Sequence, residues 1–223
     1  MEIDRPAGVL FDVDGTLVDT AYLHTVSWWE ALRQADQEIP MAAIHRALGM
    51  GAQRLLEHLL GPERDRDADD RIRYGHDSLF AEFWDRLRPL PGAAALLRAC
   101  AARGLRVVLA TSADGRELDA IRAALLADDV IGGVTPVADG PTRGPDALAT
   151  ALDNAGLDRA RTVFVGDSVW DVAAAGDLDL PCIGLTCGGT GRSELAGAGA
   201  AAVFDDPAAL LAGLADSPVA ALA

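Results

Sequence analysis

Acidic side chains at short, fixed intervals are the first feature of this chain that could do chemistry. Near its start, "GVLFDVDGTLVDT" (residues 8–20) runs from apolar residues into Asp12 and Asp14, then Gly15-Thr16 and Asp19-Thr20. Far downstream, "RTVFVGDSVWDV" (residues 161–172) ends a second apolar run in Asp167 and Asp171. Like charges a few ångströms apart repel, so a cation must lie between them or a proton must be held there. Residues two apart on a regular strand face opposite sides, but Gly15 breaks the chain into a turn, so Asp12 and Asp14 can both reach one site. The four-residue spacing of Asp167 and Asp171 fits a turn entering a helix. Three carboxylates with a carbonyl and waters suit a hard divalent ion, Mg²⁺ in particular. The plain alternative is that each aspartate caps a helix or a turn. Two clusters at the ends of two strands favour the metal.

The elements that must position these groups follow from the apolar pattern. Four or five short runs read as buried strands: 8–14, 105–112 ("LRVVLATS"), 161–168, 181–187 ("PCIGLTC") and, as the fifth, 200–206 ("AAAVFDD"). Helical patterns at 92–104, 145–156 and 170–179 lie between the later runs. Strands alternating with helices predict a Rossmann-like α/β fold, a parallel sheet covered on both faces. Ligands bind such sheets beyond the carboxyl ends of the strands, where "DVDGT", "TSAD" and "GDSVWD" all fall. Residues 21–36, 41–61 and 70–88 read instead as helices without a strand among them, with Gly49 and Gly51 speaking against one unbroken helix over 41–61. The expected organisation is therefore a core of residues 1–18 and 89–223 with a helical cap, 19–88, inserted after the first strand. The tail, 207–223, reads as one short helix followed by fraying residues.

Composition narrows the class. The chain has 223 residues, half of them hydrophobic, and a formal charge of −15, which speaks against nucleic acid or an anionic membrane as partner. No apolar run is long enough to cross a bilayer, and the start "MEIDRPAGVL" lacks the pattern of a signal peptide. Cys100, Cys182 and Cys187 form no C-x-x-C pair, and with an odd count they read as reduced thiols in a cytoplasm. All 19 cationic residues are arginine. No mechanism here can use a lysine, and a Walker A loop is excluded. An anionic substrate would meet a repelling protein, so its site must supply positive charge locally.

"FDVDGTLVDT" resembles the first motif of the haloacid dehalogenase-like hydrolase superfamily, D-x-D-G-T. "LATSA" (109–113) is similar to its second, and "VFVGDSVWDV" (163–172) to its fourth, G-D-x-x-x-D. The helical insertion looks like the cap of the subgroup that includes phosphoglycolate phosphatase and β-phosphoglucomutase. The resemblance spans nearly the whole chain, with the motifs in order. It implies a Mg²⁺-dependent phosphatase of a small phosphorylated metabolite, a monomer or homodimer. Asp12 would attack phosphorus to give an aspartyl-phosphate, and Asp14 would protonate the leaving oxygen and then activate water. Asp12, the Asp14 carbonyl and Asp167 would hold the metal, with Asp171 on its waters or second shell. Gly15, Thr16, the Thr111 hydroxyl and backbone N–H groups at Ser112 and Ala113 would receive the phosphoryl oxygens.

One element departs from the family pattern. The third motif brings a lysine to the nucleophile and phosphate, and here "GPTRGPD" (140–146) offers Thr142 and Arg143. Either Arg143 turns inward and keeps a cation at the phosphate, or it is a solvated surface residue and the site lacks one. The alternatives to a phosphatase are accordingly a sugar phosphomutase, which shares the core, and a catalytically weak phospho-ligand binder. His24, Arg46 and Arg54 are candidate substrate contacts from the cap, against the plainer reading of packing or solvated residues. Trp28, Trp29 and Trp84 read as cap core, and His45, His58 and His76 as surface. "CGGTGR" (187–192) lacks the order of a dinucleotide site and reads as a flexible loop at the rim.

Overall fold

Apolar runs with no polar face are accommodated inside a sheet covered on both sides. The computed structural model describes residues 5–136 and 145–222, with backbone alone for Pro136 and residues 145–147. Its strands are β1 (Gly8–Asp12), β2 (Arg106–Thr111), β3 (Ile131–Pro136), β4 (Thr162–Gly166), β5 (Cys182–Leu185) and β6 (Ala202–Phe204). All pair in parallel, in the order β3-β2-β1-β4-β5-β6. The chain winds outward from β1 in one direction and restarts at β4 in the other, so the switch point lies between β1 and β4. Asp12 pairs with Ala110 and Phe11 with Val165. That register ends three strands at one level and delivers Asp12, Thr111 and Asp167 to the same edge.

Between β1 and the helix that leads into β2 lie four α-helices: α1 (Ala21–Gln34), α2 (Met41–Ala47), α3 (Ala52–Leu60) and α4 (Asp69–Ala81). They bury an apolar cluster of their own that includes Trp28, Leu32, Ile44, Leu55, Leu56 and Ile72. Their faces follow from spacing: Trp28, Ala31 and Leu32 lie three and four apart on one side of α1. This is the expected helical cap on a Rossmann-like sheet.

The sheet alternates as a strand must. Val9 and Phe11 face α5 (Ala93–Ala102), α6 (Gly115–Leu125) and α10 (Pro207–Ala212), while Leu10 faces α7 (Pro145–Ala155), α8 (Val169–Gly176) and α9 (Arg192–Gly197). All three cysteines are free thiols, and burial pushes Cys100 up to about 11 and Cys187 up to about 12.

Several expectations are corrected. Among the described residues the sheet has six strands rather than four or five; "IGGVTP" escaped notice because two glycines and a proline mask an edge strand. β1 ends at Asp12, not at residue 14, and α6 was not foreseen. The tail does not fray: after α10 it turns through two short 3₁₀ segments that bury Leu214 and Val219 in the main core. Trp84 packs on that same sheet-side core rather than within the cap. The break over 41–61 is as expected, with Gly49 and Gly51 at φ 89° and 82° separating α2 from α3.

Candidate active site

Asp12 is the last residue of β1, Asp167 follows β4, and Asp171 lies in the first turn of α8. One carboxylate oxygen from each lies within 4.8 Å of the others. Asp12 and Asp167 are only 7% and 8% exposed. The Thr16 hydroxyl sits between them, 3.1 Å from Asp12 Oδ2 and 3.3 Å from Asp167 Oδ1. Burial, and secondarily the charges of Asp171 and Asp14, hold the Asp167 carboxyl well above the usual carboxylate range, against the opposing pull of the Thr16 hydrogen bond. Three carboxyl groups thus converge in a buried place, with the Thr16 hydroxyl between two of them. That donor set, oxygen throughout, fits a hard divalent cation.

The supporting shell is built from close approaches. Gly15 has φ 80°, a left-handed conformation suited to glycine, and a Cβ there would come within 2.8 Å of Asp167 Oδ2. A Cβ on Gly188 would overlap the Asp167 carboxyl group outright. Asp171 also closes a capping box on α8: its Oδ2 accepts from the Ser168 N–H at 3.0 Å and the Ser168 hydroxyl at 2.7 Å.

Asp14 turns its side chain the other way, toward the cap. Its Oδ1 accepts from the Thr20 hydroxyl at 2.6 Å and lies 3.1 Å from His24 Nε2. His24 thus faces the cleft, but its observed partner is a carboxylate of the core. Behind it, His24 Nδ1 meets His76 Nε2 at 3.1 Å. His76 was expected at the surface and is instead 7% exposed. The signal was invisible in one dimension, since 52 residues separate the two rings.

A cleft of about 900 Å³ lies over these groups, lined by Asp12, Asp14, His24 and Asp167 below and by Arg46, Leu48 and Trp28 from the cap, among others. Ser112 lines it as well. Thr111 is buried, and its oxygen accepts from the Ala113 N–H at 3.1 Å, so that amide is turned onto its own strand end. Arg46 borders the cleft, whereas Arg54, one helix later on α3, does not. Thr142 and Arg143 lie outside the described residues. His45 is not a free surface group: its Nε2–H donates to the Gly188 carbonyl at 2.8 Å, and its ring stacks on Tyr22. The Trp170 indole likewise donates to the Arg46 carbonyl at 2.9 Å. These two bonds join α2 to core segments beside the carboxylates. The "CGGTGR" segment is therefore packed against the site rather than hanging at its rim.

Similarity now adds to geometry. The family model of haloacid dehalogenase-like hydrolases matches residues 6–179. A phosphoglycolate phosphatase from Rhodospirillum rubrum is 36% identical over 218 residues, covering 92% of this chain and 89% of its own. Another, from Pseudomonas putida, is 30% identical over 223 residues, covering 95% and 80%. Among solved structures, a hydrolase from Pseudomonas syringae superposes with a TM-score of 0.86 at 29% identity, over 94% of this chain and 98% of that one. The chain belongs to the haloacid dehalogenase-like hydrolases. It is an enzyme, and of the phosphatase kind that the paired aspartates of its first motif led one to expect.

Proposed function

We propose that this hydrolase is a Mg²⁺-dependent phosphatase of a small phosphorylated metabolite, with 2-phosphoglycolate the first substrate to try because relatives that cover most of the chain are named for it. In this reading residues 1–18 and 89–223 carry the chemistry, residues 19–88 select the ester, and the enzyme works in the cytoplasm. Among the described residues no helix is long and apolar enough to cross a membrane. The observation that carries the reading is the division of labour at the first motif. Asp12 joins Asp167 and Asp171, while Asp14, two residues on, is held apart by Thr20 and His24.

A carboxylate on Asp12 attacks phosphorus, and the bond from phosphorus to the ester oxygen breaks. Asp14 delivers its proton to that departing oxygen. Water then attacks the aspartyl-phosphate, Asp14 takes the proton from the water, and orthophosphate leaves with the Asp12 carboxylate restored. Asp12, Asp167, Asp171 and the Asp14 carbonyl would hold Mg²⁺, which when bound offsets the negative charge of the transferring phosphoryl group. Ser112, on the cleft wall, would meet a phosphoryl oxygen and Arg46 a second anionic group of the substrate. Thr16, expected to touch substrate, is instead buried with its hydroxyl on Asp12 and Asp167, and the Gly15 N–H donates to the Val18 carbonyl. Cap contacts through His45 and Trp170 would keep bulk water out during the transfer.

The test compares wild type with Asp12→Asn on 2-phosphoglycolate and a panel of phosphate esters, with Mg²⁺ present. Wild type should release phosphate at least about a thousandfold faster, the scale of losing an essential nucleophile. Equal rates across the panel would refute the proposal.

A further inference from the structure

The contact between Asp14 and His24 is the inner link of a longer array. His24 Nδ1 lies 3.1 Å from His76 Nε2, and His76 Nδ1 lies 2.9 Å from Asp77 Oδ1. Aromatic faces fix the ring planes. Phe80 lies on His24 at 3.8 Å between centroids, Trp28 lies on His76 at 4.2 Å, and the two imidazoles are within 18° of parallel. Stacking leaves each ring little freedom except rotation in its own plane, and the nitrogen contacts remove that. A carboxylate only accepts, so the Asp77 contact puts a hydrogen on His76 Nδ1. In the neutral ring His76 Nε2 is then the acceptor, and His24 donates to it from Nδ1. The order of donors is set from the outer end as far as His24 Nδ1. At the inner end one proton lies between His24 Nε2 and Asp14 Oδ1, the proton that in the proposed reaction Asp14 gives to the departing oxygen.

We infer that His76, oriented by Asp77, is a positioning residue: it holds the His24 ring with Nε2 against the Asp14 carboxyl and so ties the placement of Asp14 to α1 and α4 of the cap. The catalytic consequence rests on the reading of Asp14 given above, whereas the orientation of the two rings belongs to the fold with or without substrate. A buried histidine serving as filler needs none of these contacts, and phenylalanine would replace it without a kinetic cost. The array makes the opposite demand.

The experiment uses that difference. His76→Phe fills the same space beside Trp28 and should lower kcat by about thirtyfold with KM changed less than about twofold, within the range seen when partners behind a working group are removed. His76→Gln, whose side-chain amide reaches the position of Nε2, should recover at least about threefold of that loss. Nitrogen-15 spectra of the imidazoles should show both His24 and His76 protonated at Nδ1 in wild type, with His24 averaging between tautomers in His76→Phe. A His76→Phe enzyme as fast as wild type overturns the inference, as does a glutamine variant no faster than phenylalanine, or a wild-type His76 bare at Nδ1. Should His76→Phe not fold, Asp77→Ala at an exposed carboxylate takes its place, with about fivefold lower kcat expected and no change overturning. If wild type hydrolyses no ester at all, the proposed function fails while the spectra still decide the positioning.

Discussion

Replacing Gly188 by alanine is the sharpest test of the buried acidic cluster. Gly188 lies outside the left-handed region, so an alanine there carries no backbone penalty and adds a single methyl. That methyl would fall inside the van der Waals envelope of three Asp167 atoms, the farthest of them, Cβ, at 2.8 Å. The carboxyl group, or the loop that carries residue 188, must give by at least about 1 Å to restore ordinary contact. The loop is not free to do so cheaply, because His45 holds the Gly188 carbonyl at 2.8 Å from the cap side. A misplacement of about 1 Å at a reacting centre costs on the order of a hundredfold, or about 2.7 kcal/mol of transition-state stabilisation. Gly188→Ala should therefore turn over an aryl phosphate about a hundredfold more slowly than wild type. Its thermal midpoint without divalent cation should fall by only a few degrees, and the upward shift on adding Mg²⁺ should shrink or vanish. Both readouts come from one set of samples: a phosphate-release assay and paired melting curves. Activity within threefold of wild type together with an undiminished Mg²⁺ shift would refute the reasoning, since Asp167 would then not matter where it stands.

Two further outcomes test the same centre by other routes. Thr16→Val keeps the buried shape but removes the hydroxyl shared by Asp12 and Asp167, and should weaken Mg²⁺ binding about tenfold or more, as measured by the cation dependence of turnover. Asp167 supplies a pH signature. Its folded pKa is raised, so between the ordinary carboxylate value and the raised one the folded chain binds more protons than the unfolded chain, and stability falls as pH rises through that window. Mg²⁺ binds the deprotonated form, so its stabilising shift of the melting curve should be larger near pH 8 than near pH 5. Asp167→Asn should flatten this dependence, and equal shifts at both pH values would contradict the account.

Much of the core was legible because its physics is local. β1, β2, β4 and β5 are short apolar runs that end in polar residues, and in a parallel sheet those ends must share one edge. What escaped notice has a reason in each case. β3 carries Gly132, Gly133 and Pro136 at an edge of the sheet, where fewer apolar partners are required. Leu214 and Val219 sit in a short alanine-rich tail that shows no helical period after α10, and two well-placed side chains suffice to dock it on the core. The cap helices were visible as helices, whereas their mutual packing was not. Nothing in the spacing of His24 and His76 says that α1 and α4 bring the two rings together, and so a cleft residue and the buried ring behind it were read as one candidate contact and one surface residue.

The fourth motif shows why weighing capping against metal binding, as though one excluded the other, was the wrong frame. Asp171 caps α8 through Oδ2 and also brings a carboxylate oxygen into the cluster with Asp12 and Asp167. The two roles support each other. A carboxylate whose rotamer is fixed by the first turn of a helix would lose little further freedom on meeting an ion, so in the proposed reading the capping box would prepare a ligand rather than compete with one. The same economy applies at Gly188, where the absence of a side chain lets a loop pinned by the cap press against Asp167. A centre held this way gathers carboxyl groups whose burial and mutual charge raise Asp167, and in the proposed reading a small, highly charged ion would offset both.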